Sequence, residues 1–274
     1  MEQDQGQGIW IIIIFASILF LIVFVYAFKF LEYVFAQYFY KPFYVHFYPF
    51  PKRIDEEQRN IIHQNFSFYR RLSSKRKKYF EHRVAVFIKN YHFKGNGGLV
   101  VTDEMKLLIA STSVKLTFGM RSFIYSVFDK IILYPDIYYS EKNDVYHKGE
   151  FNPKYKALVF SWKHFKEGLD ISNDNLNLGL HEFSHTLHFE CMKTSSVSND
   201  IYVENYQKLL STIKDSDYKE QLRNSNYFRE YAFTNQLEFM AVILENFFET
   251  PDQFKNDFPE LFLSVKRMIN YSEA

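Results

Sequence analysis

His181, Glu182 and His185 stand in the order His-Glu-x-x-His. Residues four apart on an α-helix lie one above the other on the same face, so the two imidazoles can reach a single metal ion while Glu182 projects beside them. A zinc ion held in this way keeps a position open for water, lowers that water's pKa from 15.7 to roughly 7, and sets it against a carboxylate that can take its proton. The chemistry is metal-assisted hydrolysis. The bland alternative is a coincidence of composition, since nine histidines are spread over 274 residues. The flanks favour a site: Asn173, Asp174, Asn175 and Asn177 offer N-caps, while Leu178, Leu180, Phe183 and Leu187 suit a partly buried helix.

A catalytic zinc needs one more protein ligand. In the metzincin pattern a Gly three residues past the second His breaks the helix so that a third His can turn back; here those positions hold His188 and Cys191, and no break is written. His188 therefore reads as an exposed or helix-capping histidine and Cys191 as a small buried residue. A better candidate lies on a second helical stretch, from Tyr231 to Phe248. Its apolar residues Leu237, Met240, Ala241, Leu244, Phe247 and Phe248 fall at helical spacing, yet it also carries Glu238 and Glu245. Buried carboxylates need partners: a zinc ion for Glu238 and a ligating imidazole for Glu245 would supply them. Asn235-x-x-Glu238 reads equally well as a capping box in which Glu238 only satisfies the helix start.

His-Glu-Phe-Ser-His at 181–185, followed by Tyr231-Ala-Phe-Thr-Asn-Gln-Leu-Glu238-Phe-Met-Ala-Val and Glu245-Asn-Phe-Phe, resembles the Mlc titration factor A family of zinc peptidases from about Ile61 to Phe262. Gly98 to Thr102, Ile132 to Pro135 and Val159 to Trp162 extend the likeness. The resemblance implies zinc bound by His181, His185 and Glu238, Glu182 as general base, and Tyr231 stabilising the oxyanion. It also implies a cytosolic aminopeptidase that binds a transcription regulator. A phenol suits the oxyanion role because it donates a hydrogen bond at neutral pH, worth roughly 3 kcal/mol. Among 21 tyrosines, however, a core tyrosine is the competing reading for Tyr231. Two departures stand out: Thr186-Leu187-His188 replaces the family's usual Lys-Leu-Asp, placed to alter the mouth of the site, and an apolar segment is added at the N-terminus.

That segment, Ile9 to Phe28, is a twenty-residue run without a charge, long enough as a helix to span roughly 30 Å of hydrocarbon. Trp10 and Tyr26 stand near its ends, where aromatic rings favour the lipid boundary. A cleaved signal peptide fits less well, because Glu2 and Asp4 precede the run and no Ala-x-Ala site follows. Lys29, Lys41, Lys52 and Arg53 follow the helix and no basic residue precedes it, so residues 1–8 are expected outside and the catalytic domain in the cytoplasm. Residues 29–53 read as a linker crowded with rings, which could lie along the lipid interface or pack onto the domain. Arg70, Arg71 and Lys75 to Lys78 form a basic cluster, either a solvated helix face opposite Phe80, Val84, Phe87 and Ile88 or a contact for anionic lipid.

Residues 54–274 show no repeat or low-complexity break and suffice for one core. Leu99 to Thr102, Lys130 to Tyr134 and Ala157 to Ser161 read as strands, one of the last two being the edge against which a peptide could lie. Thr102 or Asp103 caps a helix running to about Phe118, 140–154 reads as a loop, 194–226 as connecting helices, and Phe254 to Tyr271 as a closing helix. A net charge of +1 lacks the basic excess of a general nucleic-acid binder, and a single cysteine excludes an intrachain disulfide. The expected molecule is an α+β, zincin-like metallopeptidase domain, mostly helical with a small sheet, behind one transmembrane helix. Its partners are a peptide substrate and the bilayer. The alternative is a membrane-tethered binding protein that sequesters a transcription regulator.

Overall fold

The computed structural model describes residues 2–140 and 144–272. Met1, at the head of the expected extracytoplasmic tail, and residues 141–143 of the expected loop lie outside them. The apolar run lies within α1, Glu2–Phe39, which continues well past Phe28. From Ile9 to Phe39 it is long and apolar enough to cross a membrane. Its outward residues have no protein cover until Glu32 and Ala36, which are buried against the domain.

Short helices α2 (Glu56–Asn65) and α3 (Ser67–Arg71) lead into α4 (Ser74–Asn90). Phe80, Val84 and Phe87 of α4 are fully buried, while Arg76 and Lys77 lie over the rings of Phe118 and Tyr69. The basic cluster is thus largely the outer face of a packed helix. Strand β1 (His92–Gly95) follows, and α5 (Asp103–Thr117) starts where Thr102 Oγ1 accepts from Met105 N–H at 3.2 Å. Residues 99–102 are not a strand. Gly97 and Gly98, both with positive φ, double the chain back so closely that a Cβ on Gly95 would sit 1.8 Å from the Leu99 carbonyl, and residues 99–102 join no strand ladder among the described residues.

The remaining strands are β2 (Lys130–Tyr134), β3 (Tyr138–Ser140), β4 (Val145–His147), β5 (Gly149–Asn152) and β6 (Ala157–Ser161). The stretch expected as a loop therefore holds β4, paired antiparallel with β3, and β5. The main sheet has the order β1-β2-β6-β5, parallel except for antiparallel β5. Neither β2 nor β6 is the edge on the cleft side: both are interior, and β5 takes that place.

Helices α6 (Trp162–Asp170), α7 (Leu178–Lys193), α8 (Val197–Ile213) and α9 (Ser216–Asn224) come next, then a 3-10 turn at Glu230–Phe233 and α10 (Gln236–Glu249). The expected closing helix is two, α11 (Pro251–Asp257) and α12 (Pro259–Met268), because Pro259 cannot continue the ladder of α11 and instead starts a new helix. Helix α7 carries the His-Glu-x-x-His residues and lies between the sheet, α5 and α10. Phe183 on its inner face is fully buried against Phe87, Tyr125 and Phe160, which fixes its rotation. Glu190 pins its far end by accepting from Ser126 N–H at 2.6 Å and Val127 N–H at 3.2 Å.

The ring-rich segment after α1 divides. Tyr48 and His46 pack inward, Tyr48 accepting from buried Arg83 Nε at 2.7 Å and His46 stacking on Tyr79 at 4.9 Å. Phe47 and Phe50 face out. Arg83 has no carboxylate partner among the described residues; it donates to the carbonyls of Thr117 and Met120 at 2.9 and 2.8 Å, at the C-terminal end of α5 where a helix welcomes positive charge.

Candidate active site

Asn177 starts α7 as its N-cap, with Oδ1 accepting from Leu180 N–H at 2.9 Å. Gly179 permits the close seat on α6, since a Cβ there would meet the Phe165 ring at 2.6 Å. One turn in, His181 and His185 bring their Nε2 atoms to 3.1 Å from each other. Helix α10, packed across α7, adds Glu238: Oε2 lies 3.0 Å from His181 Nε2 and Oε1 3.6 Å from His185 Nε2. Both readings of the α10 start hold in part. Asn235 caps the helix, accepting from Leu237 and Glu238 N–H at 2.9 and 3.0 Å, while the Glu238 carboxylate turns to the histidines.

One ligand atom from each of His181, His185 and Glu238 lies within 4.8 Å of the others. His181 Nδ1 is 2.7 Å from Glu245 Oε1, a contact that orients the ring with Nε2 toward Glu238 and His185. Glu238 Oε2 is buried, makes no hydrogen bond of good geometry and lies 3.0 Å from His181 Nε2. Two imidazole nitrogens and a carboxylate that converge on one point form a set a cation can occupy. Arg229 grips the Glu245 carboxylate at 2.6 and 3.2 Å. Two imidazoles and a carboxylate are donors suited to zinc and leave a coordination position open.

Burial alone would lower the proton affinity of His181, but Glu238 and Glu245 raise it to about 10. Burial pushes Glu238 up, and the two histidines outweigh it, holding the carboxyl well below the usual range. Glu182 is buried, and desolvation raises it against the pull of His181 and His185. It receives the Phe151 backbone N–H from edge strand β5. Tyr231 is half exposed, with its ring 6.1 Å from that of His181, so it is not a core tyrosine. Burial, followed by the charge of Glu238, pushes its phenol up to about 12.

A cavity of about 560 Å³ opens in front of His181 and Glu182, walled by Tyr146, Gly149, His164, Leu178, Arg229 and Tyr231. A larger hollow of about 870 Å³ near Asn224, Asn226 and Gln253 has no histidine among its walls. His188 is neither exposed nor a cap: it is buried against Tyr202 and Tyr206, and burial lowers its pKa to about 4. Thr186 and Leu187 are also buried, so this departure from the family pattern faces the core and not the mouth. Cys191 is buried, as expected.

Residues 50–269 match the profile of the family described as Glucose-regulated metallo-peptidase M90, which includes Mlc titration factor A. The chain belongs to the M90 metallopeptidases. An uncharacterized protein of Synechocystis sp., slr2042, is similar: 27% identical over 231 residues, covering 76% of this chain and 81% of the relative. The M90 match begins at residue 50, beyond the whole of α1. Within the M90 region Arg229 and Gly149 escaped the sequence reading, as did the contact that Asn177, expected only as an N-cap, makes with Glu245. Arg229 donates to Glu245 Oε1 at 2.6 Å; Asn177 joins its own N–H to Glu245 Oε2 at 2.8 Å; Gly149 lets β5 approach Glu182. Only Gly149 left a signal, an isolated glycine in a polar stretch, which marks close backbone approach.

Proposed function

We propose that the protein is a membrane-anchored zinc peptidase, with His181, His185 and Glu238 as ligands, Glu182 as general base and Tyr231 as oxyanion donor. The reading is carried by the Glu238 carboxylate, set against the Nε2 atoms of His181 and His185 through its two oxygens, beside a cavity lined by His181 and buried Glu182. When bound, zinc supplies Lewis-acid chemistry, polarising a peptide carbonyl and acidifying a water. Edge strand β5 offers its backbone to an extended peptide. Glu182, raised by burial toward the range useful for a base, takes the water's proton and passes it to the leaving amine. Tyr231, exposed at the cavity wall and kept protonated, donates to the oxyanion. Glu245 and Arg229 hold His181 in one tautomer and one orientation. The surrounding architecture is compatible with a zincin-like domain.

Aminopeptidase-like action is carried over from the family likeness. A binding protein would have no chemical use for Glu182. The test compares hydrolysis of free and N-acetylated peptides by the full chain, with and without a chelator. Chelator-sensitive cleavage of the free peptide alone supports the reading; cleavage of the blocked peptide makes the enzyme an endopeptidase, and no cleavage of either refutes catalysis. Lys29, Lys41, Lys52 and Arg53, all exposed after the apolar run, support a cytoplasmic catalytic domain. Protease protection in sealed inverted vesicles tests it, since a cytoplasmic domain is digested there and a translocated one survives.

A further inference from the structure

We infer that the strap from Phe43 to Phe50 is a bilayer-surface anchor, Phe47 and Phe50 entering the acyl boundary while Lys41, Lys52 and Arg53 meet anionic headgroups. The inference rests on reading α1 as a membrane span. At Tyr40, with φ of 52°, the chain turns and runs back along α1. The Phe43 ring packs 5.6 Å from Phe28 and 4.7 Å from Phe35, and its N–H donates to Glu32 at 3.2 Å. The strap thereby returns to the height at which the uncharged run ends.

The domain is clamped at that height. Arg121 ion-pairs with Glu32, donates to the Tyr44 carbonyl at 2.9 Å and lies 3.8 Å over the Tyr44 ring. Inward-facing His46 and Tyr48 fasten the next residues to α4, so their neighbours are presented on a fixed support. Phe47 is 72% and Phe50 93% exposed, an arrangement that leaves two large rings in water unless something apolar covers them. Lys41, Lys52 and Arg53 flank them, exposed and in no ion pair among the described residues. Outward rings between basic side chains, continuous with a membrane helix, fit a negatively charged lipid surface.

The test uses the full chain in nanodiscs containing anionic lipid, spin-labelled singly at S17C, F47C or F50C. Buried Cys191 stays in place, and both rings are exposed enough to replace without touching the core. Accessibility to oxygen relative to a water-soluble nickel chelate reports depth. The expected result is a deep position for residue 17 and, for 47 and 50, a ratio several-fold above that of a label at Val100, set just below the headgroups. Residue 17 deep with 47 and 50 at the aqueous value overturns the anchor and leaves the span standing. Residue 17 at the aqueous value overturns both.

Discussion

Glu182 separates a hydrolase from a protein that merely stores a metal. It is no ligand, so Glu182→Gln should keep the bound zinc and lower kcat by roughly a thousandfold, as loss of a general base does. Parallel metal analysis and peptide assays check this; a variant that retains kcat contradicts the role. Tyr231→Phe removes one donor from the oxyanion and should lower kcat by roughly a hundredfold or more with little change in KM. A raised KM at unchanged kcat would instead make Tyr231 a substrate-binding residue. The pairing of His181 and His185 was legible because four-residue spacing on a helix is itself the geometry. Glu238 was legible only as one of two readings, since Asn235-x-x-Glu238 is also a helix start, and the resemblance chose between them. Arg229 and the second role of Asn177, beyond capping α7, were not legible, because both act on Glu245, 16 and 68 residues away, and no local pattern records such contacts.

At the scale of elements, the site depends on how closely β5 lies over α7. A Cβ on Gly149 would stand 2.9 Å from Glu182 Cγ and 2.8 Å from Leu178 Cδ1. Gly149→Val should therefore push the strand away or displace Glu182, cutting activity at least tenfold while zinc content holds. Unchanged kcat would show that the strand's approach is immaterial. Helices α5, α7 and α10 could be read from caps and apolar periodicity, and β2 and β6 from short apolar runs. Edge strand β5 could not: one side faces β6 and the other the cleft, so Gly149-Glu150-Phe151-Asn152 has no apolar alternation. Residues 99–102 failed the opposite way, with strand-like composition but no partner after the glycine turn.

For the whole molecule, the strap makes docking of α1 sensitive to acid. Burial, aided by Arg83 and Arg76, lowers His46 from an ordinary 6.5 to about 3. An undocked ring takes up a proton near 6.5 and the docked ring does not, so docking is fully stable above that value and weakens as the pH falls toward 3. With part of the ring facing solvent, the loss at pH 5 should be about 1 kcal/mol. Hydrogen exchange of the 43–50 amides should quicken between pH 7 and 5 beyond its intrinsic pH dependence, and His46→Phe should abolish the extra change; an equal effect in both proteins contradicts it. A membrane-length helix followed by a ring-rich strap was legible in composition, whereas the contact of α1 with the rest of the chain was not, since it includes Arg121 reaching Glu32 across 89 residues. The central claim is the metal centre, and elemental mass spectrometry of the purified full chain beside Glu238→Ala tests it most directly. About one zinc per chain, falling sharply in the variant, is the predicted result; no zinc, or zinc unchanged without Glu238, would contradict it.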